Sequence, residues 1–183
     1  MGVIPPIDEA DPTSHSRSPY KMDIVRFVST FSLTPARINI LKGFLNFRRS
    51  LSQAGLVEGF QWVDGSFTEN IELIEKRAPN DVDVVTFFQF SNGDNDEIVI
   101  GRNPKLFNHA FVKEKFLVDS YFQGLNVPSY ELVEMTVYWY SMWAHKRDLS
   151  WKGFIQIPLN PQLDVAAMTI LNSAATEEAN YES

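Results

Sequence analysis

The chain of 183 residues contains no cysteine. That absence removes disulfide frameworks, thiolate zinc sites and cysteine nucleophiles together, and it agrees with a reducing, cytoplasmic setting. Long apolar runs are missing too, since no stretch approaches the ~18 residues of a membrane span. The opening segment, "MGVIPPIDEADPTSHSRSPY", has neither a basic start nor an apolar run, so it does not read as a signal peptide and no membrane partner is expected. An excess of positive charge is also lacking. A net charge of -7 speaks against indiscriminate binding of long nucleic acid. P-loop and Ser-His-Asp spacings are absent. His15, His109 and His145 are too dispersed to predict a metal cluster, and His145, in a basic and aromatic context, is a weak acid–base candidate.

Core-forming material is abundant. With 44% hydrophobic residues, 14 Phe and 4 Trp, the chain is expected to fold as one globular domain around a bulky core. Its charge is unevenly spread. Residues Lys21 to Ser50 hold six basic side chains against one acidic, whereas Leu51 to Ile100 hold two against ten. Acids so concentrated repel one another unless solvent or a cation compensates them.

Met1 to Tyr20 carries four of the ten prolines and reads as an extended N-terminal arm, 1–20. The domain proper is expected over 21–171, followed by a small, acidic, flexible tail over 172–183. A helix is signalled from Thr34, which can cap it, with Pro35 at its first position and Gly55 to end it. Arg48 and Arg49 suit its C-terminal dipole, and with Arg37 and Lys42 they form either a solvated face or a surface for an anionic acceptor such as RNA. Strands are predicted over "VEGFQWVD", "DVDVVTFFQF", "EIVIG" and "EKFLVDSYFQGL", with a short helix over Phe67 to Lys76 and a turn at "SNGDND". "YWYSMWAHKRDLSWKGFIQIPL" reads as two extended segments around a polar turn, with a helix over Tyr138 to Trp143 as the alternative. The resulting fold class is α/β (α+β): a small mixed sheet backed by helices.

The chemistry centres on acids. Asp81 and Asp83 are two apart on a strand, so both project to one face, roughly 7 Å apart at Cα, while Val82 and Val84 turn into the core. Should the strand bearing Asp119 lie alongside, its carboxylate comes within ~5 Å of theirs. Hard divalent cations such as Mg²⁺ or Mn²⁺ take oxygen ligands of this kind, completed by phosphates and water. Two such ions about 4 Å apart serve phosphoryl chemistry. Gly65-Ser66 fits the same picture, because a glycine lets backbone approach a phosphate. The same residues also fit a plainer description, with Asp81 in a turn and Asp83 and Asp119 on wet strand faces. Lys152 and Arg147 are candidates to reach a triphosphate or are ordinary surface charges. Tyr138, Tyr140, Trp143 and Trp151 can stack a base or pack in the core.

Taken together, Gly65-Ser66, Asp81-Val82-Asp83-Val84 and Asp119 resemble the signature of the polymerase-beta-type nucleotidyltransferase superfamily in its small bacterial forms. The longer run from "SRSPY" through "GFQWVDGSF", "PNDVDVVTFF", "VDSYF" and "YWYSMWAHKRD" to "WKGF" is similar to a bacterial family placed in that superfamily. The resemblance implies a nucleotidyltransferase-like fold and Mg²⁺-dependent transfer of an NMP from an NTP, ATP among the candidates, to a hydroxyl of a protein, a tRNA or a small molecule. It implies that Asp81, Asp83 and Asp119 are metal ligands, with Asp119 also helping to deprotonate the acceptor, and that Gly65 and Ser66 contact phosphates. Two departures stand out: fourteen residues separate Ser66 from Asp81, and an acid, Asp64, precedes the glycine where an apolar residue is common. The alternative expectation is a non-catalytic partner of the same fold, an antitoxin or scaffold in a toxin–antitoxin or phage-defence setting. A sugar-nucleotide transferase using the DxD is a weaker third reading, opposed by the Gly-Ser turn and the lack of a dinucleotide-type βαβ half.

Overall fold

A computed structural model describes residues 2–90 and 93–181. Its centre is a five-stranded mixed sheet built from β1 (Tyr20–Lys21), β2 (Gly59–Asp64), β3 (Val82–Phe88), β4 (Val118–Gly124) and β5 (Ile155–Pro158), in the order β1-β5-β2-β3-β4. β2 runs antiparallel to both β3 and β5, while β3 pairs with β4, and β1 with β5, in parallel. The predicted small mixed sheet backed by helices is the observed architecture.

Strand alternation divides the sheet into two unlike faces. On one, Val63, Val82, Val84, Phe88, Val118, Ile155 and Ile157 join the main core with α1 (Ile24–Phe31), α2 (Pro35–Gln53), α5 (His109–Phe116) and α7 (Pro161–Tyr181). α2 is organised as its sequence implies: Thr34 Oγ1 accepts from the Arg37 amide, Pro35 opens the first turn, and Gly55 takes a positive φ of 87° just beyond the end. Gly43 faces α5 so closely that a Cβ there would lie 2.0 Å from the Phe116 carbonyl oxygen, so glycine sets how tightly α5 docks.

The second face carries Phe60, Trp62, Val85, Phe87 and the adjoining Phe154, covered by Trp139 and Trp143 of α6 (Ser129–Trp143). Here the hairpin expectation fails. The aromatic run that suggested strands is a helix, because Trp139 and Trp143, four apart, fall on one side and both pack on the sheet. Only the later part is extended, with a bridge between His145 and Trp151 around the polar turn and then β5. "EIVIG" is likewise helical, within α4 (Asp96–Arg102), because the Asn95 side chain caps it by accepting from the Ile98 amide. Glu114 to Phe116 also belongs to a helix, and β4 begins only after Leu117 turns the chain in the left-handed region at φ 57°. Residues 66–76 form a 3-10 turn (Ser66–Thr68) and a one-turn helix, α3 (Ile71–Ile74). Two residues of the expected turn at 91–96 lie outside the described residues.

The N-terminal arm lies along the domain, with the Gly153 amide bonded to the Ile4 carbonyl and the Asn70 amide to that of Gly2. At the other end α7 continues past Asn172 to Tyr181, so the shift to small and acidic residues does not end the helix, and residues 182 and 183 lie outside the described residues. No helix among the described residues is long and apolar enough to cross a membrane.

Candidate active site: a row of carboxylates on the half-covered face

Strand register brings the acids together. Asp64 is the antiparallel partner of Asp83, and Asp83 is the parallel partner of Asp119, so three carboxylates form a row across β2, β3 and β4 on one face. Asp81, two residues before Asp83, projects to the same side. The row lies at one end of the face whose other end α6 covers. Asp64 belongs to the group although in sequence it stood out only as a departure from a pattern; the signal that could have found it is its place at the end of an alternating strand, in phase with Phe60 and Trp62.

Gly65 fixes the local geometry. It has φ 84°, in the glycine-favouring region, and a Cβ built on it would lie 1.7 Å from Asp83 Oδ2. The backbone therefore lies directly against the central carboxylate. Ser66, half-buried, opens the 3-10 turn, and its hydroxyl makes no hydrogen bond within the described residues. Arg37 holds the segment that follows: its guanidinium donates to the carbonyls of Phe67 and Glu69 at 2.7 and 2.6 Å and pairs with Glu72 at 2.6 Å. Neither Arg37 nor Arg48 is available to an anionic acceptor, because both are buried; Arg48 is occupied by Asp164, Gln61 and the Pro158 carbonyl. Of the four basic residues on α2, Arg49 is exposed and Lys42 half-buried.

Lys152 is not a surface charge. It is 5% exposed and its ammonium pairs with Asp64 at 3.0 Å and Glu69 at 3.2 Å, so it braces the Gly65 turn from below. Arg147 is exposed on the polar turn. Tyr140 and Trp143 pack against Phe154, Trp151 meets His145 at a tilt, and Tyr138, exposed, meets Trp139 edge-on.

The opposite flank comes from α5, whose role the sequence reading missed. His109 and Lys113, one helical turn apart, both face the row. His109 Nε2 bonds Asp119 Oδ1, and Lys113 Nζ lies 2.8 Å from Asp119 Oδ2 and 2.8 Å from Asp81 Oδ2. Spacing of i, i+4 on a helix that runs straight into the Asp119 strand was the available clue. Tyr121, two residues after Asp119 on the same face, links the row to α6 through ring contacts with His109 and Trp139.

These neighbours set unequal affinities for protons. Burial, reinforced by the charges of Asp81 and Asp119, pushes Asp83 up from 3.8 to about 6. Burial raises Asp64 further, to about 7, against the opposing pull of Lys152. Asp119 is also raised by burial, but hydrogen bonds from Lys113 and His109 outweigh this and hold it below the ordinary carboxylate range. Lys113, bonded to Asp119 and Asp81, is held above the usual lysine range.

The donor set suits a hard divalent cation, being entirely carboxylate oxygen. Asp83 is the telling member: half-buried between two acids, it accepts no hydrogen bond within the described residues. Among those residues no three His, Asp or Glu side chains already converge on a metal position, and the ammonium of Lys113 stands between Asp81 and Asp119 instead. A separate cavity of about 1070 Å³ lies under the N-terminal arm, lined by Ile4, Ile7, Tyr20 and Phe31 among others, and does not include the carboxylates.

Residues 1–158 match the family described as a family of unknown function (DUF6932), and the chain belongs to it. No curated protein and no solved structure matches the chain.

Proposed function

We propose that the protein is a divalent-metal-dependent nucleotidyltransferase that moves an NMP from an NTP to a hydroxyl, with Asp81, Asp83 and Asp119 as metal ligands. What supports the reading is the in-register carboxylate row with glycine backbone pressed against its centre. An unbonded, half-buried Asp83 is costly to ionise and gains most from an added cation. Bound there, Mg²⁺ or Mn²⁺ would lower the pKa of the acceptor hydroxyl and offset charge on the phosphates.

The chain's own groups take the remaining roles. Gly65 lets the backbone of the turn pass directly against Asp83, which puts the Ser66 hydroxyl beside the carboxylates as a donor for phosphate. Lys152 keeps that turn in place by binding Asp64 and Glu69 rather than by touching substrate. As the acceptor oxygen bonds to the α-phosphorus, the bond to the pyrophosphate oxygen breaks and pyrophosphate leaves. The hydroxyl proton passes to the Asp119–His109 pair, whose histidine is 47% exposed and can release it to solvent. Tyr121, 39% exposed between His109 and Trp139, presents aromatic surface between the row and α6 on which a base can stack.

A non-catalytic partner of the same fold is the second reading, and one observation favours it: Lys113 already bridges Asp81 and Asp119 without a metal. The deciding experiment is incubation of the protein with each α-³²P-labelled NTP, Mg²⁺ or Mn²⁺ and a cell lysate, beside Asp83→Ala. Label on an RNA or protein band with wild type alone supports transfer. Equal labelling by the variant contradicts the metal assignment, and no labelling by either favours the partner reading.

A further inference from the structure

Lys113 makes two 2.8 Å ion pairs, and both use carboxylate oxygens that a divalent cation would also need. Cation and ammonium therefore compete for Asp81 and Asp119. Lys152 is taken up by Asp64 and Glu69, and the single ammonium of Lys113 does not balance Asp81, Asp83 and Asp119 together, so these three acids keep unbalanced negative charge with Lys113 in place. The two lysines at the row differ in how they are held. Lys152 is enclosed beneath the Gly65 turn, whereas the Lys113 side chain is 44% exposed and reaches the row from the rim of α5. α5 is anchored by Val112 and Phe116, not by Lys113, so the lysine can swing away without disturbing the core. Its four-carbon stem makes it a point charge able to follow a moving partner.

We propose that Lys113 is the resident counter-ion of the carboxylate row, displaced from Asp81 and Asp119 by the entering divalent cation and transferred to the polyphosphate of the nucleotide. The inference rests on the nucleotidyl-transfer reading and adds a substrate-binding residue to it. Lys113 then has two successive partners: it holds the acids together before the cation arrives and binds phosphate afterwards. The same exchange accounts for the lack of a ready-made metal cage among the described residues, since the ammonium occupies the gap between two of the ligands.

Two binding measurements on the full chain test this, using Mn²⁺ alone and Mn²⁺ with a nonhydrolysable NTP analogue, followed by calorimetry and by the electron paramagnetic resonance of free Mn²⁺. Lys113→Met should bind Mn²⁺ alone at least about tenfold more tightly than wild type, since the carboxylates lose a competing charge. It should bind the analogue at least about tenfold more weakly in the presence of saturating Mn²⁺. Lys113→Arg, which keeps the charge, should resemble wild type in the first measurement and controls for folding. Unchanged or weakened Mn²⁺ binding by Lys113→Met overturns the proposal, as does undiminished affinity for the analogue. Asp83→Asn separates the two claims: if wild type binds Mn²⁺, Asp83→Asn does not and Lys113→Met behaves as wild type, only the Lys113 inference fails. If neither wild type nor Lys113→Met binds Mn²⁺, both fail, whereas binding by Lys113→Met alone supports the exchange.

Discussion

Replacing Asp83 with asparagine should stabilise the protein at neutral pH and leave it unchanged in acid. The carboxyl titrates at 3.8 in an unstructured chain and near 6 in the fold. Well below pH 3.8 it is protonated in both states and contributes nothing to the balance, and at pH 4 only a small part of the penalty has appeared. As pH rises toward 6 the unfolded chain releases the proton first, so each increment favours unfolding. Above pH 6 the full penalty is present, ~3 kcal/mol at most for a difference of about two pH units, less whatever partial solvent contact screens. Asparagine is nearly isosteric, carries no charge and loses no hydrogen bond, because Asp83 accepts none; it also relieves repulsion on Asp64. For a chain of this size the gain corresponds to a melting temperature higher by roughly 3–10 °C at pH 7.5. Calorimetric scans of both proteins at pH 4 and pH 7.5, without divalent metal, supply the comparison. A variant that melts lower than wild type at pH 7.5, or a gap of equal size at both pH values, would refute the electrostatic account of the row.

Gly65→Ala should lose ~1–3 kcal/mol of stability and any thermal response to Mg²⁺, since the new methyl strains a φ of 84° and displaces the Asp83 carboxylate. Thermal melts with and without Mg²⁺ read both effects, and a wild-type response to the metal would contradict the role given to the turn. Arg48→Met should cost ~3–5 kcal/mol by stranding Asp164, and adding Asp164→Leu should restore much of it. Urea titration measures the cycle, and strict additivity of the two changes would show that the pair is not coupled.

The fold was most legible where local signals agreed with packing. Thr34-Pro35 and Gly55 marked α2, and alternation in "GFQWVD" and "VDVVTFF" marked the strands that carry Asp64 and Asp83. Misreading set in where one residue type serves two structures. Tyr, Trp, Val and Ile favour strands, yet "VYWYSMW" and "EIVIG" are helical because a single face packs or a cap nucleates the turn. The charges were harder still. Arg37, Arg48 and Lys152 look like surface residues in sequence, and only their partners, 13 to 116 positions away, explain their burial. Asp81, Asp83 and Asp119 were visible as a pattern, whereas Asp64, His109 and Lys113 required strand register and the docking of α5 to be placed beside them.

The claim on which all else depends is that a divalent cation sits among Asp81, Asp83 and Asp119. Crystals soaked with Mn²⁺ and a nonhydrolysable NTP analogue test it directly through anomalous scattering. The account predicts a Mn²⁺ peak within coordination distance of the Asp83 carboxylate and of at least one of the other two, absent from Asp83→Asn. A map with no peak there, or with Mn²⁺ bound only elsewhere on the surface, would contradict it.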